Sequence, residues 1–210
     1  MFTFPMSQFG GGAPQVSFLG AFTNGSGTSL DIGPARSDRV VVVAAQRELD
    51  AASAFGTPTI NGSAATILVQ PAISDPMVMA YAFVPTGTTA NLACTNGTRM
   101  FGWVITGVTA LDQVLNGTVS GANYIISPTM PAQPSVIIGI ARSRSTQSSY
   151  SASVSGVLTD VVTDAFSTSG SGNSSWVGAH AKADAPGAAT LTLTGSNTYS
   201  SGYGAAAIFI

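Results

Sequence analysis

Two runs of β-branched residues constrain this chain most. Arg39-Val40-Val41-Val42-Val43-Ala44-Ala45 and Ser135-Val136-Ile137-Ile138-Gly139-Ile140-Ala141 lie 96 positions apart, counted from Val40 to Val136. Apolar residues at consecutive positions of a short run mark a strand buried on both faces. Strand signals also surround the two runs. Gln15 to Phe22 and Met77 to Val84 alternate, and Thr190-Leu191-Thr192-Leu193-Thr194 alternates strictly. Asn61-Gly62 and Asn96-Gly97 favour the positive φ values of tight turns. Pro85-Thr86-Gly87 and Ala185-Pro186-Gly187 mark two more turns.

The second half repeats the grammar of the first. Trp176 to Ala181 matches the strand before Pro85, Leu191 matches Leu92, and Tyr203-Gly204-Ala205-Ala206-Ala207-Ile208 parallels Phe101-Gly102-Trp103-Val104-Ile105. Two architectures follow: a single antiparallel β-sandwich of jelly-roll or Ig-like kind over 15–210, or duplicated halves near 15–115 and 130–210. The single sandwich is the preferred expectation, because each half holds only about four clear strands and the sequence ends on Ile208-Phe209-Ile210, which needs a sheet to cover it. Helical signal is thin. Ala44 to Ala54 reads as a short helix or a loop, and Ser167 to Ser175 as a polar loop.

Charge is scarce. Charged residues make up 8% of the chain, with seven Lys plus Arg against nine Asp plus Glu, where an average soluble domain has roughly 25%. A nucleic-acid interface needs a basic patch, which so few cations cannot build. Lys182 is the only lysine and Glu48 the only glutamate. So little surface charge protects poorly against self-association, which points to a surface covered by neighbouring subunits in a homo-oligomer or larger assembly. Met1 to Met6 lacks the basic start and apolar run of a secretory signal. No run of ~18 apolar residues is present to cross a membrane as a helix.

The residues that could do chemistry are few. His180 is the only histidine, and its alternating strand suggests a structural role; no Gly-x-Ser-x-Gly elbow accompanies it. Cys94 is the only cysteine, on the apolar face of a strand, so it is expected to be a buried thiol. One Cys and one His do not make a zinc site. Asp160 and Asp164, four apart in one strand, are predicted to share a face; they could hold an ion or flank a sugar as glycosidase carboxylates do, although both facing solvent is the plainer expectation. Asp31, Asp38 and Asp50 lack calcium-loop spacing. No catalytic residue, cofactor or metal is therefore assigned.

Two groups remain for contact. Residues 1–14 form an arm: Phe2, Phe4, Met6 and Phe9 precede Gly10-Gly11-Gly12. Each Phe gains ~2 kcal/mol on burial, so the arm either folds back or anchors in a neighbour. Trp103, Trp176, Tyr124, Tyr150, Tyr199 and Tyr203 are candidate sugar platforms, with Trp176 the most exposed by expectation because it follows a polar loop.

Several stretches resemble small β-rich structural proteins of tailed bacteriophages and prophages. They are Ser37-Asp38-Arg39-Val40-Val41-Val42, Thr59-Ile60-Asn61-Gly62-Ser63-Ala64-Ala65-Thr66, Val84-Pro85-Thr86-Gly87-Thr88-Thr89-Ala90 and Gly102-Trp103-Val104-Ile105-Thr106-Gly107-Val108. Ser174-Ser175-Trp176 and Gly204-Ala205-Ala206-Ala207 also fit, so the similarity runs from about Val16 to Ile210. The resemblance implies a virion location, a β-rich fold and other capsid or tail proteins as partners; it brings no catalytic residues, and the Phe-rich start lies outside it. The expectation is a non-enzymatic virion component decorating capsid or tail, with a receptor- or host-glycan-binding module as the alternative and a hydrolase using Asp160 and Asp164 as a third reading.

Overall fold

The computed structural model describes residues 12–23, 28–46, 56–70, 77–95, 97, 99–143, 147–168, 174–198 and 202–210. The strands of the first half are β1 (Gln15–Thr23), β2 (Thr28–Asp31), β3 (Val40–Gln46), β4 (Thr59–Ile60), β5 (Ser63–Ala64), β6 (Thr66–Val69), β7 (Met77–Phe83), β8 (Thr89–Ala93) and β9 (Arg99–Thr106). Those of the second are β10 (Leu111–Asn116), β11 (Thr118–Ser120), β12 (Asn123–Ile126), β13 (Thr129–Met130), β14 (Ser135–Ser143), β15 (Tyr150–Gly156), β16 (Leu158–Thr168), β17 (Ser175–Ala183), β18 (Gly187–Gly195) and β19 (Gly202–Phe209). The chain is all-β, and no described residue is helical.

The antiparallel strands form four sheets, not the two of a single sandwich. Within the first half, β1-β9-β3-β7-β6 makes an inner sheet and β2-β8-β4-β5 an outer one. Within the second, β10-β19-β14-β17-β16 makes the other inner sheet; β11-β12-β18-β13, with β15 also on β18, makes the other outer one. The expected single sandwich over 15–210 is corrected accordingly. The count from sequence missed the short strands β11 and β13, which are too brief to show periodicity.

Core packing orders the layers. Val41, Val43 and Ala45 of β3 face the first outer sheet, where Ile60, Ala90 and Leu92 meet them. Val40, Val42 and Ala44, on the opposite face of the strand, meet Val136, Ile138 and Ile140 of β14 from the second inner sheet. Ile137 and Ala141 then face Leu191 and Leu193 of the second outer sheet. The stack is outer, inner, inner, outer. The two inner sheets are covered on both sides, which is why β3 and β14 are apolar at consecutive positions. The same rule explains β19, where Ala205, Ala207 and Phe209 join the central layer and Ala206 and Ile208 the outer one.

Register shows that the halves are two copies of one plan. Val40 pairs with Ile105 on one side and Phe83 on the other; Val136 pairs with Phe209 and Lys182. Carried through the ladders, Val16 corresponds to Leu111, Asp31 to Thr129, Leu92 to Leu191 and Ile105 to Phe209. Trp103 therefore corresponds to Ala207, two positions on from the Trp103–Ala205 match that the glycines suggest in the sequence. Leucines at equivalent places still need a glycine beneath them. A Cβ on Gly102 would lie 2.8 Å from Leu92, and one on Gly139 would lie 2.6 Å from Leu191. The glycine has moved across the ladder, from β9 in one unit to β14 in the other.

Asn61 and Gly62 close the β4–β5 hairpin with φ of 55° and 77°, as their pairing predicts. The stretch read as helix or loop begins inside β3, up to Gln46; the rest of it lies outside the described residues.

Candidate functional site

A buried ionisable cluster sits between the two inner sheets. Its origin is local. Opposite β17, strand β16 carries two irregularities: pairing steps from Thr159 to Val162 against Lys182 and His180, then from Thr163 to Ala165 against Ala179 and Gly178. Each step adds one residue on the β16 side, which is a β-bulge. Asp160 falls in the first, at φ 51°, and Asp164 in the second. The bulges break the simple alternation that would put both carboxylates on one face. Asp160 is exposed, whereas only 1% of the Asp164 side chain is. The expectation that the pair shares a face, or that both face solvent, is corrected.

Asp164 is held by two partners. Trp103 of β9, in the first unit, donates its Nε1–H to Asp164 Oδ2 at 2.7 Å. His180 of β17 sets Nδ1 2.8 Å from the same oxygen and 2.7 Å from Oδ1. An ionised carboxylate only accepts, so this geometry puts the His180 proton on Nδ1. Gly178 makes the approach possible. A Cβ there would lie 2.7 Å from Trp103 Cζ2 and 3.2 Å from Phe101 Cδ2.

An Asp–His pair is the orienting half of a nucleophilic triad. The other half is missing among the described residues: no hydroxyl or thiol hydrogen-bonds the remaining nitrogen of His180. Cys94 is buried elsewhere, between the first inner and outer sheets, with Sγ 3.4 Å from Gly56 O. Burial pushes its thiol up to about 11, so at neutral pH it is protonated and a poor nucleophile. No group of three or more potential metal ligands occurs among the described residues. The Trp103–Asp164–His180 arrangement instead ties one unit to the other through a largely apolar layer.

A second polar device braces the first unit. Arg39 is fully buried. Its Nε donates to Val84 O at 2.8 Å, one terminal nitrogen to Gly33 O at 2.8 Å and Pro34 O at 2.6 Å, and the other to Thr86 O and Gly87 O, each at 2.9 Å. These bonds pin the β2–β3 loop to the β7–β8 turn. The corresponding residue in the second unit is Ser135. Sequence gave no warning of this role, because an arginine beside a valine run reads as an exposed strand end.

The remaining sequence candidates distribute as follows. Phe2, Phe4, Met6 and Phe9 lie outside the described residues, as do Tyr199 and the centre of the 167–175 loop. Trp176 is fully buried in the central layer, so it offers no face to a glycan; its position at the head of a strand was outweighed by the need to fill the space between two inner sheets. Trp103 and Tyr124 are also buried. The Tyr124 hydroxyl accepts from Gly117 N at 2.6 Å and donates to Gly204 O. Tyr150 packs against Phe166, the ring centroids 5.1 Å apart and the planes tilted by 57°. Tyr203 is half-buried, bonded to Asn116.

Comparison of the chain with protein-family models, with curated proteins and with solved structures returns no match.

Proposed function

We propose that the protein is a non-enzymatic structural component of a tailed-phage virion, decorating capsid or tail and stabilising contacts between subunits. The observation that carries this reading is where the ionisable groups have gone. Arg39, Asp164 and His180 are consumed inside the molecule, in the loop brace and the tie between the units. Much of what the outer strands present is neutral: Ser151, Ser153 and Ser155 along β15 are exposed, and Asp31 at the end of β2 is an exposed charge. Large apolar side chains stand out elsewhere on the surface. Phe83 is 47% exposed and Val162 45%. Neutral, partly apolar sheet faces suit broad contact with neighbouring protein better than binding of a charged ligand.

The glycan-binding alternative loses its contact residue with the burial of Trp176, and the hydrolase reading loses its paired carboxylates. A tagged copy expressed during infection provides the test. The protein is expected to co-sediment with purified particles through a density gradient and to resist removal by salt, because the proposed contacts are not ionic. Recovery only in the soluble fraction would overturn the proposal.

A further inference from the structure

The two units also differ along the edge formed by β1 in the first and β10 in the second. Along the side of the first unit, between edge strand β1 and the loop after β2, runs an open cleft of about 680 Å³. Leu19, Ile32, Pro34 and Val104 give it apolar walls, with Ser17 and Asp31 among its polar lining. In the second unit the position of Ser17 is taken by Gln113, since both pair with equivalent residues, Val104 and Ile208. The position of Asp31 is taken by Thr129. Gln113 reaches across, donating from Nε2 to Thr129 O at 3.0 Å. Ser17 is too short to make that crossing, so the first unit is left open where the second is bridged.

The wall of the cleft is preorganised. Arg39 holds the carbonyls of Gly33 and Pro34, and Asp31 Oδ1 accepts from Gly33 N at 2.8 Å. Beside the cleft, β1 stands at the edge of its sheet, laddered to β9 on one side among the described residues. Such an edge receives an extended segment by strand addition, with alternate side chains entering pockets.

The geometry points to an occupant: residues 2–9 of a second copy of this chain. Phe2, Phe4 and Met6 recur at every second position, the spacing that puts them on one face of an added strand. No residue from 1 to 14 carries an ionisable side chain, so the arm's apolar side chains match the Leu19, Ile32, Pro34 and Val104 walls, while Asp31 and Arg36 lie in the rest of the lining. Chain direction favours a partner's arm over the chain's own. Gly12, Ala13 and Pro14 line a small pocket with Gly107, Gln133, Pro134 and Ile210, none of which lines the cleft. The eleven residues before Gly12 span up to ~36 Å when extended, enough to reach a neighbour. Reciprocal exchange of arms gives a closed dimer; one-way donation gives a ring or row of copies.

This inference rests on the contact-protein reading above and names its partner and its socket. Its test uses the full chain with cysteine placed at Ser17 and, in separate variants, at Phe2, Phe4 or Met6, under mild oxidation. A covalent dimer from at least one pairing is the expected result. A disulfide within one chain, or none from any pairing, would overturn the proposal. A second variant, Ser17→Gln, transplants the bridge of the second unit into the cleft, leaving the arm untouched. It is expected to weaken self-association at least tenfold by sedimentation, and unchanged association would count against the cleft. Arm exchange in solution without entry into particles would refute the virion reading alone.

Discussion

Asp164→Ala tests the tie between the two units. The substitution removes one acceptor that serves two buried donors, Trp103 Nε1 and His180 Nδ1. Trp103 is fully buried and His180 nearly so, so water replaces little of the loss. Each orphaned donor costs about 1–3 kcal/mol, and truncation of the aspartate leaves a small void besides. The expected destabilisation is about 3–5 kcal/mol, the range seen when one partner of a buried pair is removed. Urea unfolding followed by tryptophan fluorescence gives the midpoint and slope. Asp160→Asn, at the exposed bulge of the same strand, keeps a residue type that tolerates its φ of 51°, provides the control and stays within about 0.5 kcal/mol of the parent. Trp103→Phe removes one donor, and a double-mutant cycle with Asp164→Ala is expected to give about 1–3 kcal/mol of coupling. A cost under about 1 kcal/mol for Asp164→Ala, or no coupling to Trp103, would refute the reasoning that this contact joins the units.

Three further outcomes follow from the packing. Gly178→Ala sets a methyl against Trp103, at 2.7 Å before any relaxation, and is expected to cost about 1–3 kcal/mol in the same unfolding assay. Arg39→Lys keeps the charge but loses the planar fork that reaches carbonyls on two loops; it is expected to lower the melting temperature and to raise hydrogen exchange at residues 32–34 and 84–87 together. Alkali is expected to destabilise the fold through Cys94, pushed up to about 11 from 9.0 by burial, and Tyr124, pushed up to about 12 from 10.0. Both hold their protons more tightly when folded, so their contribution is fully present below their unfolded pKa values and is lost as pH rises through the folded ones. Each gives a slope of at most about 1.4 kcal/mol per pH unit. Tyr124→Phe is expected to flatten the upper part of that decline in pH-dependent unfolding.

Much of the fold can be read in the sequence because the inner strands carry a strong signal. The Val40 and Val136 runs are apolar at consecutive positions only because protein lies on both sides of them, and the Asn61-Gly62 turn falls where its chemistry places it. The number of sheets is not legible. A run buried on both faces looks the same in the middle of two layers or of four, and strands of two residues such as β13 have no period to detect. The candidate site is hidden for a different reason. Asp164 reaches the interior through a bulge, and one extra residue in a ladder reverses the side-chain alternation from which facing is inferred. Trp176 misled in the opposite sense: a tryptophan after a Ser/Gly loop looks accessible until the first inner sheet is placed over it.

The most direct measurement of the central claim is absolute quantification of the protein in purified particles by mass spectrometry, with labelled peptides of a major capsid or tail protein as the standard. A structural component is expected at a fixed whole-number ratio to that standard, unchanged by high-salt washing and lost when the gene is deleted. Absence from washed particles, or a ratio that varies between preparations, would contradict the account.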